Sequence, residues 1–398
     1  MKHIYLTTVG WKRILQQCTD YFIDVFALFF IKRDKGKVAL PSNPKFIFIN
    51  LGHLGDTLIL SYIFPLIKKR YPDAIIDVLT TSSCVPILRN NPFVRAIRIY
   101  DHIRNNRDAI SIWKKMYNHY STLEKVLKEI RAEHYDISIE GRVHYPNGNL
   151  VALRGKIKHR IGFGSGGYGG LLTTEVRLPQ ASPYHLVQAI LQELAVIEIH
   201  ERLENIKPYY SLPLEQNNHT DRSLISHPFI LFHPESGAPK KLLIQEFIFD
   251  IMRFLLNNTQ LHIVLCGVFP ETAKIVDEFT ASINIARQRV TSLVGKTSVD
   301  EFYKYTLYAT AAITIDSFAA HLCAIECPTF SFYKNGSGAL YFPLTGRRTV
   351  VVHNDAASKG LSLCPNIESH YMPLLESDEA LQILSLFLSD CTLKRKVN

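Results

Sequence analysis

The chain has 398 residues, 47% of them hydrophobic and 20% charged, with a formal net charge of +9 and a pI near 9.0. This length accommodates two domains of ordinary size, and the composition excludes an intrinsically disordered chain. The positive balance favours acidic partners such as phosphorylated small molecules or anionic lipid, while the absence of any Lys/Arg-rich run with interleaved aromatics argues against nucleic acid.

The first element read from the sequence is a helix over residues 11–33, apolar in its second half and basic at both ends. It either lies in a membrane interface or packs on the protein body, and Asp20 and Asp24 weaken the first reading. The apolar run Tyr21–Ile31 is too short to cross a bilayer, which takes about 20 residues, and no signal peptide is expected. A linker at 35–44 leads to a buried strand at Phe46–Leu51. The turn Gly52-His53-Leu54-Gly55-Asp56 follows, then a helix over 57–70. Further strands are expected at Ile75–Thr80, Ala96–Tyr100 and Tyr135–Ile139, with helices at 86–91 and 108–132. Residues 160–170, RIGFGSGGYGG, match no phosphate-binding motif and read as a flexible surface or lid loop. A helix at 183–199 and a polar stretch at 200–227 close the first half.

The second half repeats the alternation. Strands are expected at Phe229–His233, His262–Gly267, Ser292–Leu293, Ala311–Ile315 and Thr329–Tyr333, with helices at 245–257, after Phe269, at 298–309, after Ser317 and at 377–390. The whole is an α/β architecture of doubly wound parallel sheets. The expected domains are an N-terminal helix and linker at 1–44, Rossmann-like domains at 45–210 and 225–376, and a C-terminal helix and tail at 377–398. Seven scattered cysteines without a CxxC pair suit reduced thiols in a cytosolic protein. Cys323 and Cys327 read as small buried core residues, and no metal site is expected.

Three strand-to-helix junctions of the second half carry polar groups: Ser236, Gly237, Lys240 and Lys241; Glu271; and Asp316, Ser317 and His321. The C-terminal ends of parallel strands share one edge, so these groups can converge. Lysines, a hydroxyl and helix-start N–H groups suit a diphosphate, and Glu271 suits a ribose diol. Together they read as a nucleotide-sugar or dinucleotide pocket; taken singly, Asp316 or Ser317 reads as a helix cap. In the first half, Asp56 at a helix start beside Gly52, His53 and Gly55 reads either as a cap or as a base accepting a hydroxyl proton. No Asp-x-Asp occurs, so Lys240, Lys241 and helix N-termini would supply the positive field on a diphosphate. Arg104, Arg107, Lys114 and Lys115 read as a solvated face or as contacts to lipid phosphates.

The segments FIFINLGHLGDTLILSYIFPLIKKRYPDAIIDVLT, RIGFGSGGYGGLLTTEVRLP, ILFHPESGAPKKLLIQEF, LCGVFPET, LVGKTSVDEFYKY and DSFAAHLCAIECPTFSFY together resemble glycosyltransferase family 9, the bacterial lipopolysaccharide heptosyltransferases of the GT-B fold. The likeness runs from about Lys45 to Leu344. It implies two Rossmann-like domains facing across a cleft. It also implies inverting transfer, without a metal or other cofactor, from ADP-heptose or a similar nucleotide sugar to a lipopolysaccharide-type acceptor. Asp56 falls at the family's catalytic base and Lys240 at the lysine on the donor diphosphate, flanked by Ser236 and Gly237. Glu271 lies near the acid expected on the ribose, and Asp316, Ser317 and His321 match the D-[S/T]-G-x-x-H donor motif. Phe318 stands where the family usually has glycine, and Leu242–Leu243 where it has Trp-Pro. A cytoplasmic enzyme, peripheral on the inner face of a bacterial inner membrane, is the expected setting. A nucleotide-sugar epimerase or hydrolase of the same fold, or a non-catalytic binder of nucleotide sugar or glycolipid, remain alternatives.

Overall fold

A computed structural model of the chain describes residues 10–34, 36–103, 110–143, 147–179, 183–213, 227–283, 286–335, 338–361 and 363–395. Arg104 and Arg107 therefore lie outside the described residues. The chain divides into two compact units, Met1–Ile206 and Lys207–Asn398.

The first unit is built on six parallel strands: β1 (Lys45–Asn50), β2 (Ile75–Thr80), β3 (Ala96–Ile99), β4 (Ile137–Glu140), β5 (His159–Phe163) and β6 (Thr174–Val176). Their order is β3-β2-β1-β4-β5-β6, so the chain reverses its direction of winding between β1 and β4. Such a switch point opens a crevice at the strand carboxyl ends, where open α/β sheets bind ligands. The helices are α1 (Trp11–Phe30), α2 (Leu54–Ser61), α3 (Phe64–Arg70), α4 (Val85–Leu88), α5 (Ile112–Glu133), α6 (Asn147–Arg154) and α7 (Leu186–Ala195). β1 is apolar on both faces because both are covered. Ile47 and Ile49 pack with Leu123, Val126, Leu127 and Ile130 of α5 on one side. On the other, the Phe48 and Phe64 rings meet at 5.0 Å. One charge is buried beside this core: Asp77 of β2 is fully buried, paired with Arg95 Nη2 at 2.6 Å and Arg98 Nη2 at 3.2 Å, and accepts from the Tyr135 hydroxyl.

The second unit has seven parallel strands, β7 (Phe229–His233), β8 (His262–Leu265), β9 (Val290–Ser292), β10 (Ala311–Ile315), β11 (Thr329–Tyr333), β12 (Thr349–His353) and β13 (Ile367–Tyr371), ordered β13-β12-β11-β10-β7-β8-β9. Its switch point lies between β7 and β10. Its helices are α8 (Gln245–Asn258), α9 (Pro270–Ser282), α10 (Ala286–Arg289), α11 (Val299–Tyr308), α12 (Phe318–Glu326) and α13 (Asp378–Arg395). The C-terminal helix is part of this unit's core, since Ala380, Leu384, Phe387 and Leu388 pack with Phe330, Phe332, Val350 and Val352.

Strands β5, β6, β12 and β13 and helices α6 and α10 are not among the elements expected from the sequence, and three that are expected take another form. The helix expected over 57–70 starts earlier, at Leu54, and is broken after Ser61, because Pro65 opens a second helix at its first positions. Asp56 therefore stands inside the first turn rather than ahead of the helix. The glycine-dense stretch 160–170 is no surface loop: it enters β5, is almost wholly buried, and lies beneath α1. Gly167 and Gly170 are required there. A Cβ at Gly167, which also has φ +98°, would stand 2.4 Å from Gln16 Nε2, and one at Gly170 would stand 2.8 Å from Asp24 Oδ1. Beyond α1, the linker is tied down as well, with Val38 buried and its N–H donating to Val196 O at 3.0 Å.

Candidate active site

At the first unit's switch point, β1 ends at Asn50 and the chain turns through Gly52 and His53 into α2. Asn50 Oδ1 accepts from Gly52 N–H at 2.9 Å, and Asp56 Oδ2 accepts from His53 N–H at 2.9 Å. Gly52 is needed for room: a Cβ would lie 2.5 Å from Asp56 Oδ2 and 2.6 Å from Asn50 Oδ1. Gly55 sits in the first turn of α2. Across the switch point, Arg142 lies two residues past the end of β4. Its Nη2 lies 3.7 Å from Asp56 Oδ2, its Nη1 donates to Leu51 O at 3.3 Å, and both side chains are at least nine-tenths buried. Asp56 thus does what a cap does, through one oxygen, and is also held at the ligand-binding edge of the sheet by a buried guanidinium.

Behind Arg142 stand two carboxyls that sequence reasoning missed. Glu140 ends β4, and its Oε2 occupies the space a Cβ at Gly148 would need. Glu193, on α7, is fully buried. Burial pushes the Glu140 carboxyl well above the usual range, partly opposed by Arg142. Burial and the neighbouring charge of Glu140 push Glu193 well above it too. Arg142 thus acts on two carboxyls, standing 3.7 Å from Asp56 Oδ2 and opposing the upward push of burial on Glu140. Glu140 was visible as the polar end of an apolar strand, but nothing in its spacing pointed to Glu193.

At the second unit's switch point, the β7 and β10 junctions meet. Ser236 Oγ donates to Asp316 O at 3.1 Å and accepts from Ala238 N–H at 3.4 Å. Lys241 Nζ lies 2.7 Å from Asp316 Oδ2, with side-chain exposures of 18% and 3%. Ser317 is the first residue flanking α12, but its hydroxyl makes no cap hydrogen bond, so the helix-start N–H groups are not closed off by it. His321, in the first turn of α12, is buried, and Phe318 at that helix's first position is half-buried.

Lys240 and Gly237 are exposed. The Lys240 carbonyl accepts from Asn335 Nδ2 at 3.2 Å. Of the two lysines, Lys241 is therefore committed to Asp316, and Lys240 is the one whose ammonium faces solvent. Glu271 is exposed in the first turn of α9, and among the described residues no hydrogen bond or ion pair links it to the Ser236–Lys241–Asp316 group. The acid that organises the β7 and β8 junctions is Glu235: it is buried, and its carboxylate accepts from Val268 N–H at 2.7 Å and Phe269 N–H at 3.0 Å. Gly267 leaves it room, since a Cβ there would lie 2.1 Å from Glu235 Oε1. Among the described residues, no group of three or more His, Cys, Asp or Glu side chains is placed to hold a metal ion.

Residues 123–367 match the model of glycosyltransferase family 9 (heptosyltransferase). The chain belongs to this family. The enzyme is similar to lipopolysaccharide heptosyltransferase 3 of Escherichia coli K12, at 22% identity over 295 residues, covering 73% of this chain and 83% of that one. Its fold is that of two solved E. coli enzymes. ADP-heptose lps heptosyltransferase II gives a TM-score of 0.63 at 19% identity, covering 88% of this chain and 99% of that one. Heptosyltransferase WaaC with ADP gives 0.61 at 14% identity, covering 87% and 99%. The family 9 glycosyl transferase of Veillonella parvula DSM 2008 gives 0.62 at 16% identity, covering 78% and 86%. The α/β architecture of two parallel sheets is thus the GT-B fold, and the chain is a glycosyltransferase.

Proposed function

We propose that this enzyme transfers a heptose-type sugar, with inversion and without a metal ion, from ADP-heptose to a lipopolysaccharide core or related glycan. It would do so at the cytoplasmic face of a bacterial inner membrane. The observation that carries this reading is Asp56, a buried carboxylate held at the β1/β4 switch point by the His53 amide and Arg142. The relatives named for ADP-heptose and lipopolysaccharide support the choice of substrates.

In this mechanism the Asp56 carboxylate takes the proton of the acceptor hydroxyl. The freed oxygen attacks the anomeric carbon from the side opposite the diphosphate. The bond from that carbon to the diphosphate oxygen breaks, its electron pair leaves with ADP, and the configuration at carbon inverts. Asp56 acts through position more than basicity. On the donor side, the roles of Ser236, Gly237, Lys240, Ser317 and His321 are to receive the nucleotide sugar. The Lys240 ammonium and the N–H groups opening α12 meet the charge that grows on the leaving diphosphate. Lys241 and Asp316 hold each other and shape that junction. The exposed Glu271 is left to the ribose hydroxyls.

The test is transfer from ADP-heptose to a heptose-acceptor core oligosaccharide, with and without EDTA, reading product configuration by NMR. Turnover that persists in EDTA, with inverted product, is expected. ADP-heptose consumed in the absence of acceptor would instead support a hydrolase or epimerase. Tight donor binding without turnover on any acceptor would support a binding protein.

A further inference from the structure

Helix α1 turns Gln16, Asp20 and Asp24, with Ile23 and Ala27, toward the protein and its large aromatic and aliphatic side chains away. On the inner side, Gln16 Nε2 donates to Gly166 O, Asp20 Oδ1 accepts from Tyr168 N–H at 2.8 Å, and Asp24 lies over Gly170. Just beyond the helix, Arg33 Nη1 donates to Leu172 O at 2.8 Å. The glycines of that stretch let the helix come this close. On the outer side, Trp11, Ile14, Leu15, Tyr21, Phe22, Val25, Phe26, Leu28, Phe29 and Phe30 are all exposed, Leu28 by 82% and Phe29 by 78%. At 100° per residue these positions cover about half the helix circumference, and neither helix acid is among them: Asp20 is buried and Asp24 half-buried. A contiguous apolar face of this kind on an otherwise well-packed unit marks an interaction surface.

We infer that this face lies in the headgroup region of an acidic phospholipid bilayer, with the helix axis in the membrane plane. Charge complementarity selects this occupant. Among the described side chains, the exposed charged residues near the two ends are Arg13 and Lys32, both cationic, on a chain of net charge +9. A second copy of the chain packed on the same face, parallel or antiparallel, would bring like charges together at both ends. Aromatic rings suit the interface, and among the described residues no helix is long and apolar enough to cross a membrane. The start of α5 in the same unit repeats the chemistry, with exposed Ile112, Trp113, Tyr117 and Tyr120 beside Lys114. The advantage to catalysis rests on the proposed lipid-anchored acceptor, but binding to a bare bilayer does not.

The chain's two tryptophans are Trp11 and Trp113, so Trp113→Phe leaves Trp11 as sole reporter. With full-length Trp113→Phe protein and vesicles of phosphatidylethanolamine and phosphatidylglycerol, Trp11 emission should shift to the blue and be quenched by brominated lipid. Phosphatidylcholine vesicles should give a much smaller response. Adding Phe22→Ser and Phe29→Ser should weaken vesicle binding on the order of a hundredfold, with the thermal melt unchanged. Arg13→Ser with Lys32→Ser should erase the preference for anionic lipid. An unshifted Trp11 with anionic vesicles overturns the inference. So does a concentration-dependent dimer in ultracentrifugation that Phe22→Ser and Phe29→Ser abolish, which would assign the face to a second copy. Turnover on a soluble, deacylated acceptor separates the two claims. Transfer without vesicle binding defeats only the membrane face, and vesicle binding without transfer defeats only the proposed function.

Discussion

Replacing Lys241 with methionine removes the cation from a buried ion pair while keeping an unbranched side chain of all but the last atom's length. Its ammonium lies 2.7 Å from Asp316 Oδ2, and Asp316 is only 3% exposed. Removing one partner of such a pair takes away the other charge's cation and costs about 3–5 kcal/mol. The 18% exposure of Lys241 admits some water, which places the loss near the lower end, about 3 kcal/mol. For a unit of this size that corresponds to a melting temperature lower by roughly 6–12 °C. Lys241→Met with Asp316→Asn, which removes both charges of the pair, should recover most of the loss. Lys240→Met is the control. Its side chain is exposed, so stability should change by no more than about 0.5 kcal/mol. Donor affinity should nevertheless fall roughly tenfold to a hundredfold, the worth of a charge-assisted hydrogen bond. Urea unfolding and calorimetric titration with ADP read the two effects. The reasoning is refuted if Lys241→Met and Lys240→Met unfold at the same urea concentration.

Three further outcomes follow from the buried charges and the helix dock. Glu193 is held above its ordinary value by burial and by Glu140, so its protonated form stabilises the fold fully below about pH 4.5, and that stability is lost as pH rises towards the folded value, by up to about 1.4 kcal/mol per unit. Glu193→Gln should therefore match the wild type near pH 4 and exceed it increasingly at higher pH in urea unfolding; a difference that does not vary with pH contradicts this. Asp77 has the opposite sign. Burial alone would raise its carboxyl, but hydrogen bonds from Arg95 and Tyr135 and the charges of Arg95 and Arg98 lower it, so its contribution is present above about pH 3.8 and lost as pH falls through the folded value. Asp77→Asn should cost about 3 kcal/mol at neutral pH and progressively less in acid, checked by the same unfolding series. Gly170→Val should push α1 off its dock, because the new Cβ would stand 2.8 Å from Asp24 Oδ1 and from Ile23 Cγ2. Amides of α1 should then exchange at least about tenfold faster while those of β1 keep their protection, as read by hydrogen exchange.

The strands buried on both faces were the easiest elements to read. Phe46–Leu51, Phe229–His233 and Ala311–Ile315 are apolar but for Asn50, His233 and Thr314, and such runs in a chain of alternating helices and strands have few places to go but the middle of a parallel sheet. The glycine-dense stretch misled because composition reports what a segment permits and not what covers it. Its glycines serve close approach by α1 rather than mobility. For α1 the pattern left packing on the protein body and an interfacial position both open; the helix packs on the body through Asp20 and Asp24, which leaves its outer face apolar. The junction carrying Ser236, Lys241 and Asp316 was legible because parallel strands share a carboxyl edge. Which lysine meets Asp316 was not, because Lys240 and Lys241 are neighbours and the short turn that aims them is set by tertiary contacts such as Asn335 on the Lys240 carbonyl. Arg142 and Glu235 each follow a strand that flanks a switch point, a placement that is meaningful only once the strand order is known.

The central claim is that Asp56 removes the acceptor's proton. The most direct measurement is single-turnover transfer from ADP-heptose by Asp56→Asn, alongside its affinity for ADP. Asparagine keeps the shape beside Arg142 but cannot accept the proton. The chemical step is expected to slow by roughly 10²–10⁴-fold while ADP binds within about twofold of the wild type. Single-turnover rates within a few-fold of the wild type would contradict the account.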